Sequence, residues 1–197
     1  MLFRSPVAVA ITGGIGSGKS EALKAFARHG AATVSSDEIV HHLLRHHEVK
    51  EKIVARVGSG VIGPDGEIDR TALATTVFND PDALAFLEQL LHPLVSAEYL
   101  KWREDLAQLP NPPGVCVTEV PLLYEVGGET RFDKVVVITA PTKLRRARSE
   151  LAVDERDSRF LPEREKASRA DYTFSNTGTL EELDAFVDTV MQELQPG

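Results

Sequence analysis

The chain has almost no sulfur chemistry to offer. Of its 197 residues one is a cysteine, Cys116, and two are methionines. A lone cysteine excludes an internal disulfide, and Cys116 lies in an apolar run, where it reads as a small buried hydrophobe. Long apolar runs are missing too: none approaches the roughly 20 residues needed to span a bilayer. Met1 to Pro6 lack the apolar core of a signal peptide, because a strand begins at once. Basic charge is scarce, with 22 Lys and Arg against 30 Asp and Glu and a net charge of −8. That balance argues against a protein holding nucleic acid by general phosphate attraction. There is no internal repeat and no low-complexity tract. These absences point to a cytoplasmic protein with no membrane or nucleic-acid partner. What remains is ordinary for a globular chain, 42% hydrophobic and 26% charged, enough for one sizeable core with a small insert.

The scarce basic charge is unevenly spread. Nine of the 22 Lys and Arg fall between Lys143 and Arg169, and none follows Arg169. A local basic segment in an acidic protein suggests an anionic ligand met at one place. A solvated helix face produces the same pattern.

The most informative stretch is Gly13-Gly14-Ile15-Gly16-Ser17-Gly18-Lys19-Ser20, which fits G-x-x-x-x-G-K-[ST] at every fixed position. Val7 to Ile11 before it is a short apolar β-prone run. Glu21 to Arg28 after it reads as a helix, with Ala22, Leu23, Ala25, Phe26 and Ala27 as its apolar positions. Strand, glycine loop and helix aim backbone N–H groups and a helix N-terminus at a polyphosphate. Gly13, Gly16 and Gly18 allow positive φ and close approach of the backbone. Lys19 supplies a cation for the β- and γ-phosphates, and the Ser20 hydroxyl is the expected Mg²⁺ ligand. The loop from Gly14 to Ser20, with Glu21 behind it, is therefore the expected nucleotide-phosphate site.

Further along, Gly30 is a plausible helix end and Ala31 to Ser35 a second strand. Ligands of open α/β sheets sit beyond the carboxyl ends of strands. Asp37 follows such an end and is expected to face the same crevice as the loop; an N-cap role for the following helix, Glu38 to His47, is compatible with that. His41, His42, His46 and His47 tempt a metal reading, but without a nearby third ligand an exposed helix is the better account. Residues 48 to 110 show no convincing parallel strand. Helices are expected over Glu48 to Val57, from an Asp69 cap to Val77, and from Asp80-Pro81 to about His92; Pro93 should interrupt the last, which resumes to Leu109. A helical stretch this long between two strands is too long for an ordinary crossover and should hold the second substrate. Val115 to Val120, Lys134 to Thr139 and Asp171 to Phe174 complete five strands, and Thr179 to Glu182 is a capping box opening a final helix to about Leu194. Strands alternating with helices mean a parallel sheet.

A phosphate loop alone specifies a nucleoside triphosphate and not its use. The short chain, the helical insert and the late arginine-rich segment favour a small-molecule kinase over a GTPase switch or a motor; no Asn-Lys-x-Asp-like guanine signature is present. Such a kinase needs cations around the transferring phosphoryl group and one carboxylate at the attacking hydroxyl. Asp37 is the best candidate for the carboxylate.

At this point the residues resemble the dephospho-CoA kinase family over nearly the whole chain. "AVAITGGIGSGKS" is similar to that family's loop. "SSDEIVHHLL" resembles its Asp-x-Asp segment, with Asp37 on the second, catalytic Asp. "GEIDRTALATTVFNDPDALAFLEQLLHPLV" is the most specific stretch and is similar to its CoA-side helical region, placing Arg70, Phe78, His92 and Pro93 on substrate-binding positions. "EVPLLYE" resembles its third strand and following loop, which adds Pro121 and Leu122 to the substrate side. "KASRADYTFSNTG" resembles its ending, where Asn176 and Gly178 would lie near the adenine. Arg146 matches the first lid arginine, a catalytic position with Lys19 and Asp37.

The resemblance implies a P-loop NTPase α/β three-layer fold with a five-stranded parallel sheet. The core would take residues 1–40, 114–142 and 170–197, a helical substrate-binding insert about 41–113, and a lid about 143–169. It also implies ATP and Mg²⁺ as cofactors, dephospho-CoA as substrate, and a monomer or weak homo-oligomer. Arg70 has a plainer role open to it, pairing with Asp69 or Glu67, and His92 could simply end a helix.

The chain departs from the family pattern in places. Ser35 replaces the first Asp of the Asp-x-Asp segment, and Glu21 stands where Thr is usual. Phe160 stands where Gln is usual, Glu150 falls on a lid Arg, and Arg156 falls on the Arg that precedes the Gln position. Two other readings stay open: a kinase for another small hydroxyl or nucleotide acceptor, and a nucleotide-binding protein with a degraded lid and a regulatory or scaffolding role.

Overall fold

Five strands, β1 (Val7–Thr12), β2 (Ala32–Ser35), β3 (Val115–Glu119), β4 (Lys134–Thr139) and β5 (Tyr172–Ser175), build one sheet in the order β2-β3-β1-β4-β5. Every neighbouring pair is parallel. The structure, a computed structural model, describes residues 5–149 and 161–195. β1, β3 and β4 are mostly apolar because a parallel sheet is covered on both faces.

Eight helices are described: α1 (Lys19–Arg28), α2 (Ser36–Leu43), α3 (His47–Val57), α4 (Arg70–Phe78), α5 (Pro81–Ala107), α6 (Thr142–Arg148), α7 (Glu163–Arg169) and α8 (Leu180–Leu194). On one face Val9, Ile11, Val117, Val136 and Ile138 pack against Ala22, Ala25 and Phe26 of α1 and Leu183, Val187 and Val190 of α8. Phe26 is fully buried, a contribution of about 1.5–3 kcal/mol for a side chain of that size. On the other face Ala10, Val135 and Val137 meet Leu123 and Tyr124, with Ala167 and Ala170 packed against them. Cys116 is buried, and burial pushes its thiol up to about 11, against the smaller opposing pull of Arg103.

The capping box forms: Glu182 N–H donates to Thr179 Oγ1 at 3.3 Å and Thr179 N–H to Glu182 Oε2 at 3.1 Å. Asp69 caps α4, accepting from Thr71 N–H at 2.8 Å and Ala72 N–H at 3.1 Å.

The chain divides into two compact units. One contains the sheet, ends at Ser35 and resumes at Arg103; the other runs from Ser36 to Trp102 and is helical.

Two expectations about helices are corrected. Pro93 does not interrupt its helix: α5 runs through it from Pro81 to Ala107. Proline removes one hydrogen bond to the carbonyl four residues back, and Gln89, which carries that carbonyl, is exposed, so water can satisfy it. The expected single helix from Glu38 to His47 is α2 alone, closed four residues earlier. Leu43 and Leu44 are both buried, and i→i−3 hydrogen bonds from Arg45 to His42 and from His46 to Leu43 tighten the end and turn the chain.

Candidate functional site

The loop between β1 and α1 has the geometry of an anion cradle. Gly16 has φ 73° and Gly18 φ 101°, conformations that disfavour any side chain. Ser17 N–H closes the loop on Gly14 O at 3.2 Å. Among the described residues the Gly16 and Gly18 N–H groups have no acceptor, the arrangement of an anion-binding nest. Lys19 is buried and its Nζ donates to Gly14 O at 3.0 Å, so the ammonium lies folded over the loop.

The glycines answer to the protein as much as to a ligand. A Cβ at Gly14 would come 2.6 Å from Glu163 Oε1 and 2.7 Å from an Arg145 guanidinium nitrogen. One at Gly16 would come 2.5 Å from Arg145 O, and one at Gly18 would overlap the Asn176 amide. Asn176 is buried and donates to Ser17 O at 2.8 Å, while Arg148 donates to Asn176 O at 3.2 Å. Asn176 therefore braces the loop. Gly178 does not join it; its lack of a Cβ admits the Glu182 carboxylate of the capping box.

Two residues that sequence reasoning missed complete the site. Glu119, buried at the end of β3, accepts a hydrogen bond from Ser20 Oγ at 3.2 Å. The register puts Ser35 of β2 and Ile11 of β1 on either side of it, so the residue replacing the family's first Asp lies next to this carboxylate. An acid closing a largely apolar strand was the available signal. Ser20 and Glu119 form a hard-oxygen pair of the kind Mg²⁺ takes when phosphates complete its shell, so the residues fit that ion.

Arg145 is the second. It is buried, donates to Ala140 O at 3.2 Å, and its Nε lies 3.5 Å from Glu163 Oε1. Arg146, the lid arginine expected from the sequence, is exposed on the last turn of α6. Glu150, Arg156 and Phe160 lie outside the described residues. Glu21 pairs with Lys24 at 2.7 Å along the exposed face of α1, which partly offsets its charge.

Pro121 O accepts from Thr12 Oγ1 at 3.2 Å, so the stretch after β3 starts beside the end of the loop strand; Leu122 is half-buried. Burial pushes the Tyr124 phenol up, against the pull of Arg169.

The remaining candidates belong to the helical unit and are exposed: Asp37 in the first turn of α2, Arg70 and Phe78 at opposite ends of α4, and His92 with Pro93 inside α5. Asp37 lies within the helix, so it is not its N-cap. His92 does not end a helix. Glu67 pairs with Lys50 at 3.2 Å and Asp69 is taken by its cap, and among the described residues no ion pair holds Arg70.

A family model described as dephospho-CoA kinase matches residues 7–182. The dephospho-CoA kinase of Protochlamydia amoebophila is 38% identical over 199 residues, covering 95% of this chain and 96% of that one. That of Symbiobacterium thermophilum is 38% identical over 188 residues, covering 91% of this chain and 78% of its own. A crystal structure from Thermus thermophilus superposes with a TM-score of 0.79 at 34% identity, covering 98% of this chain and 100% of that one. A dephospho-CoA kinase from Campylobacter jejuni gives 0.68 at 26%, covering 98% and 100%. A shikimate kinase from Aquifex aeolicus, at 0.51 and 16% with 95% and 97% covered, shares the fold.

Proposed function

The chain belongs to the dephospho-CoA kinase family, and from that premise we propose that it phosphorylates the ribose 3′-hydroxyl of dephospho-CoA with ATP. The products are coenzyme A and ADP, and the reaction is the last step of coenzyme A biosynthesis. The observation that carries the reading is the phosphate loop, with Lys19 folded over it and the Ser20–Glu119 pair at its end.

Phosphoryl transfer asks for position and charge more than covalent help. The bond from the γ-phosphorus to its bridging oxygen breaks, the bond to the acceptor oxygen forms, and the hydroxyl proton must leave. The loop amides and Lys19 grip the β- and γ-phosphates, with Arg146 and Arg145 as further cations beside them. Ser20 and Glu119 are the residues that would hold Mg²⁺, which supplies charge neutralisation across the phosphates when bound. Asp37 follows the carboxyl end of β2 and takes the hydroxyl proton. Asn176 and Gly178 serve the adenine end; Asn176 does so while bracing the loop. Arg70, Phe78, His92 and Pro93, with Pro121 and Leu122, grip the acceptor. The reading carries with it a cytoplasmic setting and a monomer or weak homo-oligomer that acts on a small molecule.

A coupled assay of ADP release tests this. Turnover with dephospho-CoA, and none with AMP, CMP or shikimate, is the expected result. ATP binding without turnover on any acceptor would favour a nucleotide-binding protein without transferase activity.

A further inference from the structure

The stretch after β3 is pinned by a short helix from the far end of the chain. On α7, Glu163, Lys166 and Arg169 recur every three residues and so share a face. Glu163 reaches Arg145 beside the phosphate loop. Lys166 has no solvent exposure at all, and its Nζ lies 2.8 Å from Glu125 Oε1. The same oxygen accepts Leu161 N–H at 2.8 Å. Arg169 pairs with Glu129 and sits 4.3 Å over the ring of Tyr124. Leu161, Ala167 and Ala170 pack against the apolar cluster that contains Leu123 and Tyr124.

These contacts hold the stretch from its downstream side. Upstream, Val120 N–H donates to Ile11 O at 2.8 Å, and Pro121 O accepts from Thr12 Oγ1. Pro121 and Leu122 are thus suspended between β1 and the Glu125–Lys166 pair. A fully buried ammonium is a costly way to fill space, since an apolar residue of similar size packs as well without desolvation. Its use here buys geometry: one carboxylate oxygen fixed by a charge and a backbone N–H together.

We infer that Lys166 is a positioning residue for the acceptor, acting through Glu125 to set the Pro121–Leu122 segment. This rests on the proposed reaction, in which that segment contacts dephospho-CoA. Lys166 touches neither substrate.

The test is steady-state kinetics of wild type, Lys166→Met, Lys166→Arg and Glu125→Gln, each substrate varied at saturating levels of the other, with thermal midpoints measured alongside. Lys166→Met and Glu125→Gln should raise the KM for dephospho-CoA by about tenfold, with the KM for ATP within about twofold and kcat within about threefold of wild type, the pattern of lost acceptor binding. Lys166→Arg should recover most of the acceptor KM. An unchanged acceptor KM in folded Lys166→Met would overturn the inference. So would a parallel rise in both KM values that follows lost stability. If Lys166→Met does not fold, Glu125→Gln/Lys166→Met removes both buried charges and is read the same way. Wild type that fails to turn over dephospho-CoA sinks the proposed reaction itself; wild-type turnover with a normal acceptor KM in the variants sinks only the role of Lys166.

Discussion

Gly18→Ala tests the packing of the phosphate loop most directly, and its cost follows from two separate penalties. Gly18 sits at φ 101° and ψ 22°, where an L-residue costs about 1–2 kcal/mol. The new methyl group also overlaps the Asn176 amide. That amide must then leave Ser17 O, which it reaches at 2.8 Å. Stranding a buried polar group costs about 1–3 kcal/mol. Together the substitution should destabilise the fold by about 2–5 kcal/mol, a fall in Tm of roughly 4–20 °C for a chain of this size. Asn176→Ala alone should cost about 1–3 kcal/mol, since it strands the same carbonyl. In the double variant no amide remains to collide, and only the backbone penalty is added. The two changes should therefore be less than additive by about 1–3 kcal/mol. Denaturant unfolding of the four proteins without nucleotide measures this. Additivity within about 0.5 kcal/mol, or a Gly18→Ala protein as stable as wild type, would refute the bracing role given to Asn176.

Three other outcomes are expected. Asp37→Asn should lower kcat by about 10²-fold or more while ATP binding stays intact; near-normal turnover would remove Asp37 from the mechanism. Glu21→Thr should lower the KM for ATP by up to about fivefold, because a partly exposed acid paired with Lys24 is worth at most about 1 kcal/mol; no change at low ionic strength would mean Lys24 already cancels it. Arg28 first, then His29, hold the Asp184 carboxyl below its usual 3.8. A lowered carboxylate pKa stabilises the fold above the usual value, and that contribution is lost as the pH falls through the folded one. Asp184→Asn should therefore weaken the protein near neutrality and flatten the acid limb of its stability profile below about pH 4; an unchanged limb would show that the Arg28–Asp184 contact contributes nothing.

Some of this was legible in the sequence because it is local. The strand, loop and first helix follow from consecutive residues, as does the Thr179 cap. The alternating order of strands and helices implied the parallel sheet. What stayed hidden depends on residues far apart in the chain. Glu119 meets Ser20 only once β3 lies beside β1, a pairing that neither segment announces. Arg145 and Arg146 are neighbours, and nothing in the run separates the buried one from the exposed one. Pro93 misled in the other direction: the local rule against proline is real, but one lost hydrogen bond on an exposed face does not outweigh the rest of a 27-residue helix.

The place of β1 in the sheet has a consequence for how the protein is made. The phosphate loop leaves the ribosome well before β1 can be paired, because β1 is flanked by β3 and β4, synthesised only after the whole helical unit. Asn176 follows 159 residues behind Ser17. At about 5–20 residues per second, the apolar run Val7–Thr12 must wait for several seconds with neither edge paired. Nucleotide cannot speed this stage, because the cradle that would bind it does not yet exist. The strand that carries the phosphate loop thus waits for partners made much later, and its unpaired edges are where a chaperone has most to protect.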